Sequence, residues 1–394
     1  MTNNFIFTSE SVTRGHPDKI CDQVSDAIVD RFLKQDPDAR IVAECAVSSG
    51  VIFISSHYAS SATALDITDI ARRTISDIGY PREVFDANEC TILSSIMDHS
   101  STDYAPMDLD SMTDEEIDKI TARHQTSVFG YACDQTRDLM PLPIWLAHRI
   151  ADRLDDKKII KKIPYLLPDA EIQVGFEFFQ DQPARLHSIT LVATQKEEAE
   201  ADIKQLREDL IDRVIEPVLK KEKINNNNAV IHINPDGVRK GGGPAVHSGL
   251  TGRKTGIDTY GGFARSSGAA LSGKDPMRID RIGAYIARYA AKNVVAAGLA
   301  RECEVQLSYS IGFANPVSIR VRTFGTGKVD DAAIAERLRE TIDFRPGGIA
   351  RDLGLKKLSA DKGGFYQKLA VYGHMGRSEI KVPWENTALA HKLK

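Results

Sequence analysis

One order of elements recurs three times along this 394-residue chain, and that recurrence limits the fold more than any single motif. The first unit opens with a helical pattern at Ile20–Leu33. Two strand-like runs follow, Arg40–Val47 and Val51–Tyr58, and a helix at Ala62–Ile78 closes it. The second unit has a helix at Ile144–Leu154, strands at Glu171–Phe179 and Arg185–Thr194, and a helix at Glu197–Leu219, interrupted or ended near Pro217. The third has a helix at Ile282–Ala297, strands at Glu302–Ile311 and Val317–Thr323, and a helix at Asp330–Ile342. Apolar residues alternate along the strands, as Val305, Leu307 and Tyr309 do with Glu304, Gln306 and Ser308. The gaps at Ser48-Ser49-Gly50, Gln180–Ala184 and Phe313–Pro316 are short, which favours antiparallel hairpins. The fold expected is α/β (α+β): three similar domains, each a mainly antiparallel sheet with helices on one face. Their expected bounds are 4–102, 117–236 and 237–376. A polar, acidic stretch at 99–129 reads as a mobile loop.

Chemistry concentrates in Lys240–Arg281. Glycine lets backbone N–H groups approach an anion closely, and Arg253, Lys254, Arg265, Lys274 and Arg278 stand among small residues able to neutralise it. Asp258, Asp275 and Asp280 are mixed in, and a carboxylate beside a polyphosphate suggests a magnesium ligand. The stretch reads as a polyphosphate cradle, with neither Walker A nor Rossmann spacing. Gly15-His16-Pro17-Asp18-Lys19, just before the first helix, brings a hydrogen-bond donor, a metal ligand and a phosphate contact into five residues.

The formal net charge of -4 gives no reason to expect a nucleic-acid or membrane partner, so the basic cluster suits a small anion. Five cysteines without a CxxC pair fit a reducing compartment. No apolar run is long enough to span a bilayer and the N-terminus lacks a signal pattern, so a cytoplasmic location is expected.

Taken together, Phe7–Asp30 (FTSESVTRGHPDKICDQVSDAIVD), Phe129–Arg149 (FGYACDQTRDLMPLPIWLAHR), INPDG at Ile233–Gly237, GLTGRKTGIDTYGG at Gly249–Gly262, and Ser272–Ala300 resemble the methionine adenosyltransferase, or S-adenosylmethionine synthetase, family. The resemblance runs in order along nearly the whole chain. It implies three similar α/β domains, and a homodimer or homotetramer with active sites between subunits. It implies attack of a thioether sulfur on C5′ of ATP, then cleavage of the departing triphosphate to phosphate and pyrophosphate. By the same resemblance His16, Lys274 and Arg253 are catalytic. Lys19, Asp169, Lys254 and Ala270 join them in holding ATP and its triphosphate. Asp18 and Asp280 bind Mg²⁺, and Glu44 binds K⁺.

The chain departs from the family in a patterned way. Where the family's acceptor amino-acid pocket has Glu, Gln, Asp and Asp, this chain has His57, His99, His124 and His247, and a lysine there becomes Arg278. Glu171 stands where a phosphate-binding lysine is expected, Val238-Arg239 replaces an adenine-stacking pair, and Arg14 replaces a glutamate. A carboxylate pairs with an ammonium and an imidazole does not, so these changes suit an altered, more anionic acceptor, or four histidines holding a transition metal. A non-catalytic partner subunit and a triphosphatase are the alternatives.

Overall fold

The computed structural model describes residues 4–63, 65–360 and 364–394. Twelve strands form three sheets among them: β1 (Asn4–Val12), β2 (Arg40–Ser48), β3 (Val51–Ala59), β4 (Thr91–Asp98), β5 (Thr126–Cys133), β6 (Leu166–Phe179), β7 (Gln182–Gln195), β8 (Val230–Ile233), β9 (Arg239–Lys240), β10 (Gly249–Leu250), β11 (Glu302–Tyr309) and β12 (Ser318–Arg322). The three expected hairpins are there: β2/β3, β6/β7 and β11/β12 pair antiparallel. Of the remaining pairs, β1/β6, β2/β10 and β5/β11 are antiparallel and β3/β4, β7/β8 and β7/β9 are parallel.

Each hairpin is widened by a strand from elsewhere in the chain. β1 pairs with β6 in the sheet of the central hairpin, and β5 pairs with β11 in the third sheet. β10, from the glycine-rich segment, pairs with β2 in the first. This exchange crosses the expected bounds 4–102, 117–236 and 237–376. It ties the N-terminus to the middle of the chain, and the glycine-rich segment to the first unit.

Helices cover one face of each sheet. Pro17–Gln35 packs on β2, Leu142–Leu154 on β1 and β6, and Ile279–Ala296 on β5 and β11. The last contact is close because β5 carries Gly130, where a Cβ would lie 2.0 Å from the Ala287 carbonyl oxygen. The helix expected over Glu197–Leu219 starts later, at Ile203. It passes through a π-helical turn at Ile211–Ile215, and Pro217 sits in the first turn of the next helical piece, where its missing N–H costs nothing. One continuous apolar core runs through all three units. All five cysteines are buried and free.

The stretch expected as a mobile loop is folded back onto the protein. It carries short helices at Ser100–Asp103 and Asp114–Ile117, the second closed by a Thr113/Glu116 capping box, and its end enters β5. Leu109 and Ile117 bury against Ala350 in a small separate core. Arg345 pairs with Asp114 and Asp118, each at 2.9 Å.

Candidate functional site

The glycine-rich segment is fastened to the buried side of helix Pro17–Gln35. Asp18, Asp22 and Asp26 recur every fourth residue and so share one face of the helix. Their carboxylates accept the backbone N–H groups of Leu250 at 3.0 Å, Gly252 at 2.7 Å and Gly273 at 2.8 Å. Asp30 continues the row and accepts from Tyr366 at 3.0 Å and Gln367 at 2.9 Å. Two of these anchor points require glycine. Gly252 has φ +75°, and a Cβ there would lie 2.2 Å from the Ala270 Cβ. Gly273 has φ +77°, and its Cβ would lie 2.0 Å from the Ala43 carbonyl oxygen. Ala270, expected at the nucleotide, therefore packs directly on the cradle backbone.

Around Asp18 the expected groups converge. Its carboxylate lies 3.1 Å from the Lys254 ammonium and 4.0 Å from the Arg253 guanidinium. His16 caps the helix, its Nδ1 accepting the Asp18 N–H at 3.2 Å, while Pro17 supplies the preset first turn. His16 Nε2 is 3.6 Å from Glu171, and its ring stands edge-on to His247 at 4.9 Å. His247 in turn meets Asp169 at 3.3 Å, and Asp169 also accepts the Gly243 N–H at 2.7 Å. The contact with Asp169 raises the His247 pKa, and the His16 imidazole lowers that of Glu171. Arg253 is half exposed, with a side chain open to a ligand.

A second cluster lies farther along the same helix face. Eight residues separate Asp18 from Asp26, which is about 12 Å of helix. Here Lys274 lies 3.2 Å from Asp280. Burial lowers the Lys274 pKa and Asp280 partly offsets it. Val42 forms a strand bridge to Lys274 and also lines a cavity of about 340 Å³ on the far side. His57, His99, Arg278, Arg40, Lys119 and Arg123 line the polar part of that cavity. The His57 and His99 rings lie parallel, 6.0 Å apart. Beside it, burial and the charges of Arg278 and Lys274 lower the His124 pKa.

The structure thus sorts the expected residues. His57, His99 and Arg278 share one cavity, with His124 next to Arg278; His247 belongs to the cluster around His16. Among the described residues no three His, Cys, Asp or Glu groups are arranged to hold a metal ion, so the four histidines do not form a transition-metal site within one chain. Lys19, expected among the triphosphate contacts, is turned inward. Its ammonium is enclosed between Asp22, at 2.9 Å, and Asp258. Burial alone would lower its pKa, and the two carboxylates more than offset that. Asp258 and Asp275 are likewise buried in the protein's own bonds, leaving Asp280 as the acid of that trio that faces a lysine of the cradle. Glu44 is exposed on the outer face of the first sheet, in register with Ser55 and through it with Ser95.

Sequence reasoning missed the aspartate row and its cation Arg281, which pairs with Asp26 in the interior. The D-x3-D-x3-D-x3-D spacing was the available signal. It also missed Arg40, Lys119 and Arg123, three cations from separate segments that only the fold brings together.

Three α/β units share the glycine-rich segment, which is fastened to the first of them, and comparison with known proteins identifies the class. The N-terminal, central and C-terminal domain models of S-adenosylmethionine synthetase match residues 4–101, 119–238 and 241–386. Proteins named S-adenosylmethionine synthase are similar over the full length. That of Synechococcus elongatus is 44% identical over 410 residues, covering 100% of this chain and 98% of its own. Those of Trichodesmium erythraeum and Gloeothece citriformis are 42% and 43% identical, each over 100% of this chain and 97% of their own. The chain belongs to the S-adenosylmethionine synthetase family and is a transferase.

Proposed function

We propose that the chain transfers the 5′-adenosyl group of ATP to a thioether sulfur, methionine or an analogue, and then cleaves the triphosphate to phosphate and pyrophosphate. The observation that carries this reading is the convergence of His16, Arg253 and Lys254 on Asp18, beside a glycine backbone held open by Asp22 and Asp26. Sulfur attack on C5′ places a tetra-anionic charge on the leaving triphosphate. Arg253, Lys254 and, from the other cluster, Lys274 are the groups that stabilise it, and His16 donates to the departing oxygen side. Asp169 keeps His247 oriented toward His16.

Asp18 and Asp280 fit Mg²⁺. Each is a single carboxylate now neutralised by a lysine, and Mg²⁺ in phosphate sites takes one or two carboxylates with phosphate oxygens and water completing the shell. When bound, it would neutralise phosphate charge. Glu44 offers one carboxylate in a row with Ser55 and Ser95, so a K⁺ there needs oxygens from outside this row.

A second copy of the chain would supply what one lacks. The outer face carrying Glu44 and His57 also exposes Phe53, Leu93, Met97 and Leu250, each by about half of its side chain. That is a contiguous apolar face on a soluble sheet, which marks an interface. The separation of the two clusters within one chain fits an active site assembled between two subunits of a homodimer or homotetramer. No described helix is long and apolar enough to cross a membrane, which accords with a cytoplasmic enzyme.

The test is mass spectrometry on the isolated protein with ATP, Mg²⁺, K⁺ and thioethers including methionine. A 5′-adenosyl sulfonium formed in step with phosphate and pyrophosphate is expected. Phosphate release without any adenosyl product would leave a triphosphatase, and no turnover at all a partner subunit.

A further inference from the structure

Resting on adenosyl transfer as the reaction, we propose that the acceptor is a small thioether that carries a carboxylate and no ammonium group. The cavity beside Lys274 is lined by four basic side chains: Arg40, Lys119, Arg123 and Arg278. His57 and His99 add two imidazoles that can donate hydrogen bonds. Against these stand two acids, Asp103 and Asp275. Asp275 is buried and occupied: one oxygen accepts the Ile41 N–H at 2.9 Å, the other the Met277 N–H at 2.7 Å. Asp103 lies at the exposed rim, and its carbonyl takes an Arg40 N–H at 2.8 Å.

An α-amino acid brings both signs of charge. Its carboxylate would meet guanidinium forks suited to bind it through two oxygens. Its ammonium would enter a cavity of like charge, with one rim carboxylate to receive it. A cation among cations is disfavoured, whereas an anion there is held from several sides. Met107, Ile120, Met277 and Pro346 add an apolar part to the lining, with the two thioethers polarizable, a surface for a methylene chain and a thioether sulfur. At about 340 Å³ the cavity is the size of a small-molecule site. Val42, which lines the cavity, bridges Lys274, so the cavity lies next to that lysine.

The reaction balances without a further reactant. A sulfur lone pair forms the S–C5′ bond, the C5′–O bond breaks, and its electron pair leaves on the triphosphate. The product is a sulfonium whose charge is matched by its own carboxylate.

The full-length protein, saturated with Mg²⁺ and ATP, is given in turn 3-(methylthio)propanoate, methionine and 3-(methylthio)propylamine, and adenosyl sulfonium products are quantified. The propanoate is expected to exceed methionine in kcat/KM by about tenfold, the worth of one lost charge-assisted contact; the amine is expected to give no product. Methionine used as well as or better than the propanoate overturns the inference and leaves adenosyl transfer standing. Product from none of the three removes both. His57→Glu adds a carboxylate at an exposed position of β3 that lines the cavity. It should move the ratio toward methionine, and an unmoved ratio would mean the acceptor binds elsewhere.

Discussion

Asp26 accepts the N–H of Gly273 at 2.8 Å and, with the same oxygen, pairs with the Arg281 guanidinium, both side chains being fully enclosed. One carboxylate thus fixes a turn of the cradle backbone and balances a cation of the helix Ile279–Ala296. Asp26→Asn keeps the shape and removes the charge, leaving Arg281 buried without an anion. A loss of roughly 3–5 kcal/mol in urea unfolding is expected. Asp26→Leu with Arg281→Met should recover most of it, because neither charge then remains buried alone.

The cradle itself is tested at Gly252. With φ +75° and Ala270 2.2 Å from a Cβ there, Gly252→Ala must move the backbone that Asp22 holds. Overpacking of this kind costs about 1–3 kcal/mol, so KM for ATP should rise by about tenfold while the fold survives. An unchanged KM would remove Gly252 from the phosphate site.

Arg253 separates function from stability. Its side chain is half exposed and its nearest acid, Asp18, is 4.0 Å away. Arg253→Ala should change stability by less than about 0.5 kcal/mol. It should lower kcat with ATP by about 10²–10³-fold if the guanidinium meets the leaving triphosphate. A large fall in melting temperature with kcat intact would reverse that assignment.

The hairpins β2/β3, β6/β7 and β11/β12 were legible because a period of two and a short turn are local signals. β1, β4 and β5 were not. The strand identity of β1 comes from pairing with β6, more than 150 residues away. In the same way Thr126–Phe129 belongs to β5 only through β11. The row of aspartates on helix Pro17–Gln35 was not legible, since nothing local says that backbone N–H groups from residues 250–273 will come to meet them. His16, Asp18, Arg253 and Lys254, which the fold brings together, were legible as motifs. The inward turn of Lys19 was not legible there, because its partner Asp258 lies more than 200 residues along the chain.

Glu171 is the least expected group in the cluster around His16. Its carboxylate is 3.6 Å from His16, and that neighbour lowers its pKa, so it is ionised at neutral pH. An anion there repels a polyphosphate. Glu171→Gln should tighten tripolyphosphate binding severalfold, and Glu171→Lys more, as read by competition with ATP. Weaker binding in both would mean the carboxylate helps hold the site, for instance by orienting His16.

His247 gives a pH signature. Its hydrogen bond to Asp169 raises its pKa in the folded protein above the ordinary histidine value. The folded state therefore holds the proton more tightly than the unfolded chain. The stabilisation is fully present below the unfolded value of about 6.5 and is lost as pH rises through the folded pKa. His247→Asn should accordingly lower the melting temperature at pH 5.5 and do so much less at pH 8.5, because the neutral imidazole has little ion pair left to lose. The side chain is over a third exposed, so solvent screens the pair and the difference will be a small shift rather than a collapse. A gap between wild type and variant that is equal at both pH values would show that His247 works by packing against His16 and not as the cation of Asp169.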